Sequence, residues 1–138
     1  VGNWSANEYG MKLYHDYSKV KNIILYNPIY EMEELNVLRS NCFFYLHGHS
    51  AGGTNPSLVE AMYLGLPVIA FGVKYNRETT FGKALYFNNF DELKSLLLQI
   101  RELDRLAMMV ELAKLAKKNY SWKAISKKYI KMFKSLDS

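Results

Sequence analysis

Residues 47–70 read HGHSAGGTNPSLVEAMYLGLPVIA. The pattern predicts the end of a strand, a glycine-rich loop, a capped helix, a tight exit and a second strand. Just upstream, CFFYL at 42–46 is an apolar run of the kind buried on both faces of a parallel sheet. Gly52 and Gly53 let backbone N–H groups come close to a ligand. Asn55 is placed to cap a helix, and Pro56 suits its first helical position. Gly65 fits the left-handed exit of that helix, and Pro67 prevents its continuation. A loop that opens a helix beyond the carboxyl end of a strand is an anion site. The expected ligand is a phosphate or diphosphate.

Outward from this stretch, helix and strand patterns alternate. A polar helix is predicted from Ser5, its cap, to about Lys19, with Tyr9, Leu13 and Tyr17 at helical spacing. NIILY (22–26) reads as a strand that exits through Asn27-Pro28. A short helix follows over 31–39, with acids in its first turn where the macrodipole favours them. Strand 42–47, helix 56–64 and strand 67–71 come next, then a polar connection at 72–83 and a short strand, ALYF, at 84–87. Asp91 opens a helix of about ten residues, and another is predicted from about Asp104 to Lys118. The closing helix from Ser121 sets Trp122, Ile125, Tyr129, Met132, Phe133 and Leu136 on one stripe among lysines, a stripe expected to pack on the domain. Such alternation predicts an α/β fold with a doubly wound parallel sheet. Val1-Gly2-Asn3 reads as the tail of a strand and its turn, so a first βα unit is expected to be missing and the chain to be a fragment of a longer one.

With 138 residues, the chain is sized for a single domain, 1–138, with one core. No apolar run approaches the roughly 20 residues that span a bilayer, and no signal peptide is recognisable. The lone Cys42 leaves no internal disulfide, so a cytoplasmic setting is expected. The net charge of +5 is concentrated at the end: from residue 110 onward there are eight lysines against two acids. These lysines suit a solvated helix face, or contact with an anionic membrane at its inner side or with a phosphorylated partner. Tyr120, Trp122 and Tyr129 lie among them without the organisation that stacks bases, so nucleic acid is not an expected partner.

GHSAGG (48–53) is not the dinucleotide fingerprint, and Gly82-Lys83 is followed by Ala, so no phosphate-binding loop of the Walker type is present. Glu60 is the sharpest single candidate. It lies one turn into helix 56–64, and helical side chains lean toward the N-terminus, so its carboxylate reaches back toward the loop. Beside a bound diphosphate it would be repelled; hydrogen bonds from sugar hydroxyls suit it better. His47 and His49 flank Gly48, but as metal ligands they lack a third partner, so no metal is expected. They fit either hydrogen bonding to a developing anion or sugar hydroxyl, or purely structural roles. Arg77 or Lys83 could neutralise phosphate, while Arg77 and Glu78 could equally form a surface pair.

HGHSAGGTNPSLVEAM, the following GLPVIA, and YNRET at 75–79 together resemble the C-terminal, donor-binding half of GT-B glycosyltransferases of the retaining "glycosyl transferases group 1" type. The similarity is greatest to the branch that includes bacterial rhamnosyltransferases. It is close over 22–87 and returns at NYSWKAISKKYIKMF (119–133), which is similar to that family's closing helix, here 119–136. The resemblance implies a Rossmann-like half of a GT-B fold and transfer of a sugar from a nucleotide-diphosphate donor, with no cofactor and no essential metal. By position, Glu60 matches the acid on the nucleotide ribose. Gly52, Gly53, Thr54, Asn55 and Ser57 match the loop and helix start at the diphosphate and sugar. Arg77 and Glu78 match the connection that approaches the donor sugar. Asn27, Ile29, Tyr30 and Leu35 lie where the family packs the base. The family's first acid of a glutamate pair would stand eight residues before Glu60, at Gly52, which moves attention for the sugar contact and catalysis to His49.

The function implied is binding of a nucleotide-diphosphate sugar, dTDP-rhamnose being one candidate, for transfer to a saccharide or lipid-linked acceptor in bacterial surface polysaccharide synthesis. An N-terminal acceptor domain would complete the enzyme, and this fragment alone would be inactive. Two alternatives stand beside it: another nucleotide-sugar enzyme of GT-B fold, such as an epimerase, and a noncatalytic Rossmann-like remnant.

Overall fold

Three short parallel strands form within three of the expected strand segments: β1 (Tyr45–His47), β2 (Val68–Phe71) and β3 (Leu85–Phe87), side by side in that order. This computed structural model describes residues 1–99 and 105–136. Tyr45 pairs with Val68 and His47 with Ala70, while Ile69 pairs with Leu85 and Phe71 with Phe87. The helices in chain order are α1 (Glu8–Tyr17), α2 (Met32–Ser40), α3 (Pro56–Tyr63), α4 (Lys74–Thr79), α5 (Phe90–Gln99), α6 (Arg105–Asn119) and α7 (Trp122–Lys134). Helix α3 is the crossover from β1 to β2, and α4 the crossover from β2 to β3, as parallel neighbours require. The fold is α/β, as the alternation predicts.

Contacts divide the chain into two units, Val1–Leu38 and Arg39–Ser138. In the second, α3 lies against α6, and Leu58, Ala61, Met62, Leu66, Val68, Ala70, Leu112 and Ala116 form the buried core. Gly65 leaves α3 with φ +67, the left-handed exit expected of it. Asn89 and Glu92 start α5 reciprocally: Glu92 N–H donates to Asn89 Oδ1 at 2.9 Å, and Asn89 Nδ2 donates to the Glu92 carboxylate at 3.0 Å. The Asn88 backbone N–H also reaches that carboxylate, and these donors hold the Glu92 pKa below the ordinary glutamate value.

In the first unit, α1 begins later than expected. Its cap is Asn7, which accepts from Gly10 N–H at 2.8 Å, whereas the Ser5 hydroxyl donates to Asn3. No strand forms at 22–26. Strand pairing is non-local, and an apolar run reads alike with or without a neighbouring strand. Here Ile24 is largely exposed, and the Tyr26 carbonyl accepts from Gly2 N–H at 3.0 Å and from Trp4 Nε1 at 2.8 Å.

Strand β1 is shorter than the expected 42–47. Arg105 lies 3.5 Å over the Phe43 ring and donates to the Phe43 carbonyl, so this end of the run serves a cation instead of the ladder. Helix α4 occupies part of the expected connection; KYNRET has no apolar period, and tertiary hydrogen bonds through buried Asn76 hold it. Helix α5 agrees with the expectation, and α6 begins at Arg105, the expected start at Asp104 lying outside the described residues. Ser121 caps α7 as predicted, accepting from Ala124 N–H. The stripe on α7, however, is not packed. Trp122 is 87% exposed, Tyr129, Met132, Phe133 and Leu136 are also exposed, and Ile125 alone of the stripe is half-buried. Amphipathic period records a face that suits an apolar partner, not that the partner is present in the same unit.

Gly72 follows β2, where its N–H donates to the Phe87 carbonyl at 2.8 Å. A β-carbon there would collide with the Asn88 amide and come within 2.9 Å of the Arg77 guanidinium. Gly72→Ala is therefore expected to cost about 1–3 kcal/mol, measured by denaturant titration, as the two side chains are displaced.

Candidate functional site

Strand β1 ends at His47 and delivers the chain into the loop 48–54, every residue of which is exposed. Added β-carbons at Gly48, Gly52 and Gly53 would meet nothing within 4 Å. The loop therefore presents open backbone at the carboxyl edge of the sheet. Gly52 has φ +110, a conformation that side-chain-bearing residues rarely adopt. That accounts for the position expected to carry an acid: the loop turns where only glycine is at ease.

Asn55 starts α3 as predicted. Its Oδ1 accepts from Ser57 N–H at 3.0 Å and from Ser57 Oγ–H at 2.6 Å. Ser57 Oγ in turn accepts from the Tyr45 hydroxyl at 3.1 Å, which pins the helix start to β1. The Asn55 and Ser57 side chains thus build the site, while Gly52, Gly53 and Thr54 form its open rim.

Glu60 lies one turn into α3, with its side chain 41% exposed. Arg39, near the end of α2 and largely buried, donates to Glu60 Oε2 at 2.7 Å. One carboxylate oxygen is held by this charge-assisted bond, and the pair fixes the direction in which the carboxylate faces. Arg39 was not among the predicted site residues. A basic residue at the end of a helix reads as a partner for the macrodipole, and nothing local links it to an acid 21 positions away.

His47 is buried and His49 exposed, their rings stacked nearly parallel at a centroid distance of 5.3 Å. His47 Nε2 is buried without a hydrogen-bond partner among the described residues. Burial first, and then the nearby His49, lower the His47 pKa below the ordinary 6.5. In the unfolded chain this ring protonates as pH falls through 6.5, while the folded one stays neutral. Stability is then complete above 6.5 and is lost as pH falls toward the lowered folded value. The thermal midpoint of the chain should therefore drop between about pH 7 and about pH 5, and His47→Gln should flatten that slope.

Asn76 on α4 ties the loop to the end of β2, donating to the His49 carbonyl at 3.0 Å and the Phe71 carbonyl at 2.9 Å. It too was missed, because its role depends on the fold bringing α4 under the loop. Arg77 donates to the Gly72 carbonyl at 2.9 Å and lies 4.2 Å over the Tyr86 ring, so it braces the scaffold. Glu78 is exposed and loosely paired with Lys74 at 3.8 Å, and Lys83 pairs with Glu111 at 3.1 Å. Neither the Arg77–Glu78 pair nor a free Lys83 is what the structure presents. In the first unit, Asn27, Ile29 and Tyr30 line a hollow of about 500 Å³ with Glu31 and Glu34, and Leu35 is not part of its lining. Among the described residues, no three His, Cys, Asp or Glu side chains gather as a metal site, and no helix is long and apolar enough to cross a membrane.

No protein-family model matches the sequence, and no curated protein matches it. A chain of the crystal structure of the GtfA/B complex is similar in structure, with a TM-score of 0.71 and 19% sequence identity. The similarity covers 94% of this chain and 28% of that one, so this chain spans under a third of its structural neighbour. The shared architecture is a small parallel sheet flanked by helices, the Rossmann-like half of a GT-B fold.

Proposed function

We propose that this chain is the donor-binding half of a retaining glycosyltransferase and holds a nucleotide-diphosphate sugar at the loop 48–54 and the start of α3. The observation that carries this reading is Glu60, a half-exposed carboxylate one turn into α3, aligned by Arg39 beside an open glycine loop. Glu60 accepts hydrogen bonds from the ribose hydroxyls. The loop N–H groups and the positive end of the α3 dipole face the diphosphate and stabilise it as it leaves. His49, exposed above His47, and Glu78, loosely held by Lys74, are the side chains available to the donor sugar. Gly52 with its positive φ removes an acidic sugar contact and leaves backbone in its place.

The rhamnosyltransferase-like motif supports dTDP-rhamnose as donor and a saccharide or lipid-linked acceptor in surface polysaccharide synthesis. The acceptor half lies in the remainder of a longer protein, consistent with the 28% of the structural neighbour that this chain spans. The protein works in the cytoplasm without a metal. Calorimetric titration with dTDP-rhamnose, UDP-glucose and GDP-mannose tests the reading. Saturable binding of at least one, tighter than its free sugar, is expected; no binding of any would overturn it. Product analysis of the full-length protein should then show transfer to an acceptor, whereas an epimerised donor would contradict transfer.

A further inference from the structure

We propose that His47, through Nε2, accepts a hydrogen bond from one hydroxyl of the donor sugar and so helps select that sugar; this rests on the donor-binding reading above. Asn55 Oδ1 takes both the N–H and the O–H of Ser57, at 3.0 Å and 2.6 Å. Ser57 has then spent its only hydroxyl proton, so toward Tyr45 it can only accept, and the Tyr45 hydroxyl donates to it at 3.1 Å. Tyr45 has in turn spent its own proton. Toward His47 Nδ1, 3.5 Å away and at the outer limit of a hydrogen bond, Tyr45 Oη can therefore only accept, and the contact is a hydrogen bond only when the imidazole proton sits on Nδ1, the tautomer we assign.

A neutral imidazole carries one N–H, so Nε2 is left as a bare lone pair. It is the same atom that is buried without a partner. Burial and His49 both disfavour the cation, so protonation does not supply the missing hydrogen near neutral pH. A buried acceptor of this kind requires a donor. Within a nucleotide sugar, an ionised diphosphate offers no proton and would be repelled by the lone pair. The ribose hydroxyls belong to Glu60. A hydroxyl of the transferred sugar is the group that remains. His49, exposed in the loop and stacked face to face on His47, sets the His47 ring directly beside the loop assigned to the donor. Of the roles expected from the sequence, a developing anion, a sugar hydroxyl or a purely structural one, this keeps the sugar hydroxyl and makes His47 its acceptor in place of a donor. Sites built to bind a hydroxyl discriminate strongly against analogues that lack it, because the buried partner is left unpaired.

The test is nitrogen NMR of the full-length protein labelled with ¹⁵N-histidine, assigned with His47→Gln. In the wild type, the His47 signals are expected to show hydrogen on Nδ1 and none on Nε2. Adding dTDP-rhamnose, UDP-glucose or GDP-mannose, whichever binds, should move the Nε2 resonance in the direction of an accepted hydrogen bond. The matching nucleoside diphosphate should leave it in place. A proton found on Nε2 would overturn the inference. So would an Nε2 signal that ignores the sugar while the amides of the loop and of Glu60 respond, as when an internal water already satisfies it; that result would leave the donor-binding reading intact. Loss of all response, at the loop as well as at His47, would instead overturn the donor-binding reading and the inference with it.

Discussion

Glu60→Ala is expected to weaken binding of a nucleotide sugar by roughly 10- to 150-fold, the range for losing hydrogen bonds to a charged group. The carboxylate is the one acidic group that α3 carries toward the loop, and Arg39 fixes its direction. Calorimetry on folded protein measures the effect directly. Folding should lose about 1–2 kcal/mol, because the largely buried Arg39 guanidinium is left without its carboxylate while solvent screens the half-exposed Glu60 end. Arg39→Ala should weaken binding too, though by less, roughly 3- to 10-fold, since it frees the carboxylate without removing it. A Glu60→Ala protein that binds as tightly as wild type would place the nucleotide elsewhere.

The largest loss of stability is expected at Leu112, on α6 where it meets α3. It is fully buried in the cluster with Leu58, Met62 and Ala116. Leu112→Ala removes packing on both helices and leaves a cavity, at a cost of about 2–5 kcal/mol. That is a large share of the stability of an ordinary domain. Denaturant unfolding should show a lower midpoint with an unchanged slope. Phe133→Ala on α7 is the useful contrast. Its ring is 57% exposed, so the substitution should fall within about 0.5 kcal/mol of wild type. A loss at Phe133 as great as at Leu112 would mean that the α7 stripe is buried after all.

Local chemistry was legible in the sequence at several helix ends, although α1 is capped by Asn7 and not by Ser5. Asn55 caps α3, Gly65 exits it through a left-handed turn, Ser121 caps α7, and the two crossovers make a parallel sheet. What depends on distant partners was not legible. NIILY at 22–26 has the composition of a strand but gains no ladder. The α7 stripe has a helical period but gains no cover. Within the candidate site, Glu60 could be singled out because an acid among apolar neighbours is conspicuous, whereas Arg39 and Asn76 make contacts 21 and 27 positions away that no local pattern signals. Arg77 and Lys83 were visible as cations near the ligand edge. Their engagement with the Gly72 carbonyl, the Tyr86 ring and Glu111 is a property of the packed chain.

The most direct measurement is a crystal structure of the full-length protein with its nucleotide sugar bound. The ribose hydroxyls should lie about 2.6–3.0 Å from the Glu60 carboxylate, as charge-assisted hydrogen bonds do, with the Arg39 pair kept and the diphosphate against the loop 48–54. A nucleotide bound away from α3, with Glu60 touching only Arg39, would contradict the account.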